Sequence, residues 1–156
     1  MPEIEARPTF MVHQLNAELA RICNPLFKKL GVDIITSRLL VIIREKPGVL
    51  VGDVQRIMAL PQSTVSHQIK RLEQAGLVIR SADAQDKRAF SVHLTPRGED
   101  VAFACDQISE EIYAELFDDI DDGALQTLVE SLNFMGQRLS RVSASDFQDK
   151  VEERRG

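Results

Sequence analysis

Apolar positions recur along this chain at helical spacing, except in one short stretch near the middle where they alternate. Leu15, Leu19, Ile22, Leu26 and Leu30 hold one stripe, which predicts a long helix from about Thr9 to Gly31. Asn24-Pro25 interrupts it, and a kink is expected there, because proline removes a backbone donor and crowds the preceding turn. Leu39-Leu40-Val41-Ile42-Ile43 is apolar nearly all round, so a helix over 36–46 is expected at the buried centre, ended by Pro47-Gly48. A shorter helix over 51–60 should turn Val54, Ile57 and Met58 inward. Pro61-Gln62-Ser63 then opens a helix that runs to about Gln74 and stops at Ala75-Gly76.

The alternating stretch follows. A strand is predicted over 78–81, a polar loop over 82–87 and a second strand over 88–94, where Phe90, Val92 and Leu94 should face inward and Ser91 and His93 outward. Thr95-Pro96 reads as a helix cap followed by proline at the first helical position. The helix it opens carries Val101, Cys105, Ile108, Ile112 and Leu116 on one side. After Asp121-Asp122-Gly123 a last helix carries Leu125, Leu128, Val129, Leu132, Met135, Leu139 and Val142. Residues 143–156 are polar and expected to be frayed or disordered. The fold class is mostly α with a small β hairpin.

The helix over 62–74 is where the pattern becomes chemistry. Val65, Ile69 and Leu72 recur at i, i+4 and i+7, while Ser63, His67, Lys70 and Gln74 fall on the opposite face, flanked by Thr64 and Arg71. Hydroxyls, an imidazole, an amide and cations are groups that reach base edges and phosphates in a major groove. A helix, a turn at Leu60-Pro61, a second helix and a basic hairpin together form a module suited to duplex DNA.

The net charge of −5 opposes that reading only until it is mapped. Between Leu60 and Gly98 six bases meet three acids, whereas Glu99 to Gln137 holds eleven acids and no Lys or Arg. A basic face attracts phosphate, and an acidic remainder limits indiscriminate adhesion. The first and last helices carry longer apolar stripes than the small middle module can cover, which points to a two-fold dimer. The expected division is a dimerisation helix over 1–35, a DNA-binding lobe over 36–98, dimerisation helices over 99–142 and the polar tail. No apolar run approaches the ~18 residues of a membrane span, so a cytoplasmic protein is expected.

Asp86-Lys87-Arg88, followed by Leu94-Thr95-Pro96-Arg97-Gly98, resembles the wing signature of the multiple-antibiotic-resistance regulator (MarR) family of winged helix-turn-helix transcription factors. Pro61 to Arg80 also resembles that family's recognition helix and its entry to the wing, and the order of elements matches over roughly residues 10 to 141. The resemblance implies a homodimeric repressor that binds a pseudo-palindromic DNA operator and is released by a small-molecule effector. Ser63, Thr64, His67 and Lys70 are then expected at base edges, Ser66 and Arg71 at phosphates, and Arg88 in the minor groove, with Asp86 structuring the wing by orienting Arg88 or Arg80. Gln55 and Ala59 depart from the alanine and glycine common in such motifs, so the turn is expected to differ slightly. His67 stands where a basic or hydroxyl residue is common.

The effector pocket implied by the resemblance lies among the first, second and fifth helices, with His13, Arg21, Arg38 and Tyr113 as candidate polar contacts. A redox switch is the alternative, through Cys23 and Cys105, although the surroundings in sequence favour buried, inert thiols. Metal sensing is disfavoured: His13, His67 and His93 are scattered, and no metal or cofactor is expected. No phosphate loop, nucleophile elbow or His-Glu-x-x-His is present, which argues against an enzyme.

Overall fold

A computed structural model describes residues 2–82 and 90–154. After a short 3-10 turn at Ile4–Ala6 come α1 (Pro8–Lys29), α2 (Ile34–Glu45), β1 (Val49–Leu50), α3 (Val51–Met58), α4 (Gln62–Gln74), β2 (Val78–Ala82), β3 (Phe90–Leu94), α5 (Pro96–Phe117), α6 (Asp122–Leu139) and α7 (Ala144–Glu153). The order matches a mostly α fold with a small β wing. The chain forms two compact units, Met1–Glu111 and Ile112–Gly156, and α5 runs from the first into the second.

In the first unit α2 is the central rod. Its near-continuous apolar run leaves Leu39, Leu40 and Ile43 fully buried. The helix starts two residues earlier than its hydrophobic pattern suggests, because Asp33 caps it. Asp33 Oδ1 accepts from the backbone N–H of Ile35 and Thr36, at 3.1 and 2.9 Å, while Thr36 Oγ1 accepts from Asp33 N–H at 2.9 Å. Val54 of α3, then Val65, Ile69 and Leu72 of α4, close over this rod. Burying each such side chain is worth about 1.5–3 kcal/mol, so the stripe holds α4 with its polar face outward.

The sheet is antiparallel, in the order β1-β3-β2. Val78 pairs with Leu94 and Arg80 with Val92, while Val49 of β1 pairs with Val92 from the other side. The two-residue β1 has no periodic signature of its own; it is a strand only because β3 lies beside it.

Along α1, Leu15, Ile22 and Leu26 are exposed, while Cys23 and Phe27 are buried. α1 spans Pro25 within a single helix. Three expectations are corrected. Ile57 is exposed, because α3 presents mainly Val54 to the core. In β3, Phe90 lies exposed at the far end while Ser91 is buried, because β1 and β2 flank Ser91 through its pairs Leu50 and Ser81. Finally, the polar tail is helical over Ala144–Glu153. Ser143 and Asp146 form a capping box that satisfies its first turn.

Within the second unit α6 is capped by Asp121, whose Oδ1 accepts from Gly123 and Ala124 N–H. Tyr113 and Phe117, at the end of α5, lie in tilted contact with ring centres 4.8 Å apart.

Candidate nucleic-acid interface

The turn between α3 and α4 sets the geometry of the recognition surface. Ala59 closes α3 in the left-handed region, at φ 50° and ψ 36°, a conformation that glycine adopts far more cheaply. The departure at this position therefore lies in the residue, while the turn keeps a glycine-type shape. Pro61 precedes α4 without a side-chain cap. Ser63, Ser66, His67, Lys70 and Arg71 are exposed on α4 and Thr64 is half-buried, with Val65, Ile69 and Leu72 on the opposite side.

Not all of these polar groups are equally free. Arg71 Nη1 donates to Gln68 Oε1 at 2.8 Å and approaches Asp33 Oδ2 at 3.3 Å, which ties α4 to the cap of α2. Asp33 responds: burial pushes its carboxyl up, but the Thr36 N–H and hydroxyl and the Arg71 guanidinium outweigh that and leave it below its ordinary 3.8. Ser66 lines a cleft of about 460 Å³ beneath the base of the wing, together with Gln62, Ile69, Arg80 and Phe90. Arg80, one of the two partners considered for Asp86, is paired with Glu73 at 2.8 Å and lies over Phe90. Asp86 and Arg88 lie outside the described residues.

The Leu-Thr-x-x-Gly stretch acquires a physical meaning. Thr95 Oγ1 accepts from Gly98 N–H at 2.9 Å and donates to the Gly76 carbonyl at 2.7 Å, so one hydroxyl caps α5 and fastens it to the end of α4. Arg97 Nη1 donates to the Ala75 carbonyl, satisfying a group left open at that end of α4. A Cβ on Gly98 would lie 1.8 Å from the Leu77 carbonyl oxygen, so no other residue fits without moving backbone.

The four candidate effector contacts are dispersed in role. Arg21 pairs with Glu18 at 2.7 Å, the His13 ring centre lies 6.2 Å from that of Phe10, and Tyr113 lies in tilted contact with Phe117. Arg38 lines a hollow of about 230 Å³ with Val41, Ile42, Glu45, Met58 and Ser109. Both cysteines are free and buried. Burial, with Asp106 adding to it, pushes the Cys105 thiol up to about 11; burial also raises Cys23, against the pull of Arg38. No cluster of three metal-ligating side chains occurs among the described residues, and none of the described helices is long and apolar enough to cross a membrane.

Sequence reasoning missed Arg44. It reaches from α2 to Glu99 and Asp106 of α5, both at 2.8 Å. The only signal was one base on α2 and a run of acids more than fifty residues later, and nothing local connects them.

Comparison with known proteins supplies the wider frame. A MarR-family model matches residues 30–89. The HTH-type transcriptional regulator SarZ of Staphylococcus epidermidis is 32% identical over 84 residues, covering 53% of this chain and 55% of that protein. The organic hydroperoxide resistance transcriptional regulator of Bacillus subtilis is 25% identical over 96 residues, covering 62% and 65%. The chain thus spans little more than half the length of the first of these relatives and under two thirds of the second. Among solved structures, the S. aureus MepR–DNA complex is similar in fold, with a TM-score of 0.79 at 19% identity over 86% of this chain and 98% of that one. The segment that resembles the MarR family thus holds the whole helix-turn-helix, and the fold of the solved neighbour is shared well beyond it.

Proposed function

We propose that this chain is a sequence-specific DNA-binding regulator, a cytoplasmic homodimer that represses from a pseudo-palindromic operator and is released by a small-molecule effector. The observation that carries the reading is the two-sidedness of α4: an apolar stripe fully withdrawn from water holds an outward row of hydroxyl, imidazole and ammonium groups. Ser63, Thr64, His67 and Lys70 read base edges. Ser66 and Arg71 contact phosphates, and Arg71 leaves its exposed pair with Asp33 to do so, at little cost because such pairs are worth about 0–1 kcal/mol. Arg88 enters the minor groove, positioned by Asp86. The S. aureus neighbour was solved with DNA, and the reading extends that partner to this chain.

The dimer is supported by apolar side chains left in water. Met11, Val12, Leu15 and Ile22 of α1 are exposed, as are Leu128, Val129, Leu132 and Leu139 of α6. Residues 1–35 and 99–142 serve this dimer and 36–98 form the DNA-binding lobe. The effector sits among α1, α2 and α5, with His13, Arg21, Arg38 and Tyr113 as its polar contacts. The alternative is a thiol switch, but buried thiols held protonated make poor nucleophiles. Cys23→Ser and Cys105→Ser are expected to leave operator release by peroxide unchanged.

Selection of binding sequences from random duplexes tests the reading. A two-fold sequence should emerge, and Lys70→Ala should weaken its binding and flatten the salt dependence by about 0.9 per phosphate contact if Lys70 also touches backbone. Emergence of no preferred duplex would overturn the function.

A further inference from the structure

The buried face of α5 is made of Gly98, Ala102 and Cys105. Such small side chains allow close approach but remove little apolar area from water, so burial alone holds α5 in place weakly. Next to that face Glu99, Phe103 and Asp106 fall at i, i+4 and i+7 along one flank of the helix. Arg44, in the last turn of α2, lies along the whole flank. Its Nε donates to Glu99 Oε1 at 2.8 Å, its Nη1 donates to Asp106 Oδ2 at 2.8 Å, and its Cζ stands 5.0 Å from the centre of the Phe103 ring. A planar fork engaged two turns apart resists both rotation and sliding of α5 against α2, whereas a single ion pair would permit either. At the head of the same helix, Thr95 and Arg97 bind the end of α4. The head of α5 is thereby fixed to the end of α4, which carries the recognition surface, and its first three turns to α2, before α5 continues past Glu111.

We propose that Arg44 is a positioning residue for operator recognition: by clamping Glu99, Phe103 and Asp106 it fixes the direction in which α5 leaves the DNA-binding lobe. The inference rests on the dimeric DNA-binding reading above. In a dimer the two recognition helices must enter successive major grooves about 34 Å apart, and small errors in the direction of α5 are magnified over that span. Linking two half-site contacts multiplies affinity by about 10²–10⁴, and only where geometry lets both form together. Arg44 touches no part of the α4 surface that meets a half-site, so its effect should appear in the link and not in the contact.

The test compares two duplexes, the selected two-fold operator and one carrying a single half-site. Arg44→Met should lower affinity for the full operator about tenfold or more while changing half-site affinity by less than about twofold. A series of operators with altered half-site spacing should lose its sharp optimum. Arg44→Lys, which keeps the charge and loses the fork, should show the same selective loss. Should Arg44→Met fail to fold, the Glu99→Gln/Asp106→Asn double variant releases the clamp from the α5 side, at one exposed and one half-buried position, and is expected to behave alike. Equal losses on both duplexes, or no loss on either, would overturn the proposal. Failure of the wild-type protein to prefer a two-fold duplex would strike the DNA-binding reading itself, and the role of Arg44 in operator recognition would fall with it.

Discussion

On α4, Val65, Ile69 and Leu72 are at most 2% exposed, whereas on α6 Leu128, Val129 and Leu132 stand at 42%, 48% and 44%. Both helices carry apolar residues at the same helical spacing, and both begin at recognisable turns. α4 belongs to a unit whose core also holds a sheet and the buried Leu39, Leu40 and Ile43 of α2. In the second unit no described residue is buried. Periodicity thus marks which face of a helix seeks cover, but the cover must come from elsewhere. The stability of the first unit is expected to be its own, and that of the second to depend on what is placed against it.

The largest expected effect breaks the first unit from inside. Gly98→Ala forces a methyl group into the Leu77 carbonyl, and because backbone must move, the loss should exceed the ~1–3 kcal/mol typical of an overfilled core. Thermal unfolding would measure it, and a near-normal midpoint would show that α5 is not seated this closely. The next pair sharpens the contrast directly. Ile69→Ala should cost about 2–5 kcal/mol at every protein concentration. Leu132→Ala should leave the first unit's unfolding unchanged and instead weaken self-association in sedimentation, by about 1–2 kcal/mol. A concentration-independent loss in Leu132→Ala would place its cover within the chain.

Smaller effects compare the two capping boxes. Asp33 and Asp146 both have carboxyls held below their ordinary 3.8. For Asp33, burial is outweighed by Thr36 and Arg71; for Asp146, the Ser143 N–H and hydroxyl dominate. A depressed carboxyl contributes stability that is complete above the unfolded value and disappears as pH falls through the folded one. Asp33→Ala should therefore destabilise the first unit by about 1 kcal/mol near neutrality, with the difference from wild type shrinking below about pH 4. Asp146→Ala should fray α7, seen as faster amide exchange there, and leave the first unit's melting untouched. The smallest change is a gain: Ala59→Gly relieves a left-handed alanine and should add up to about 1 kcal/mol, less what the freer unfolded chain takes back.

Legibility followed the same division. The α4 stripe, the α2 rod and the proline and glycine stops were readable because each depends on neighbours within a turn or two. Phe90 and Ser91 were misplaced because β1, two residues long, was invisible until β3 paired with it. The α1 stripe was legible as a pattern, but periodicity does not say whether its cover comes from the same unit. The wing motif was legible as a resemblance, while the reason for its glycine waited on the position of Leu77.

Helix order, the sidedness of the recognition helix and the basic character of its neighbourhood were determined by the sequence alone, through local periodicity and turn chemistry. Tertiary structure decided which apolar faces lie covered, which arginines are engaged, and how α5 is held. Arg71 meets Asp33 across 38 positions, and Arg44 meets Glu99 and Asp106 across 55 and 62. Contacts at such separations are products of chain packing, and no local pattern encodes them.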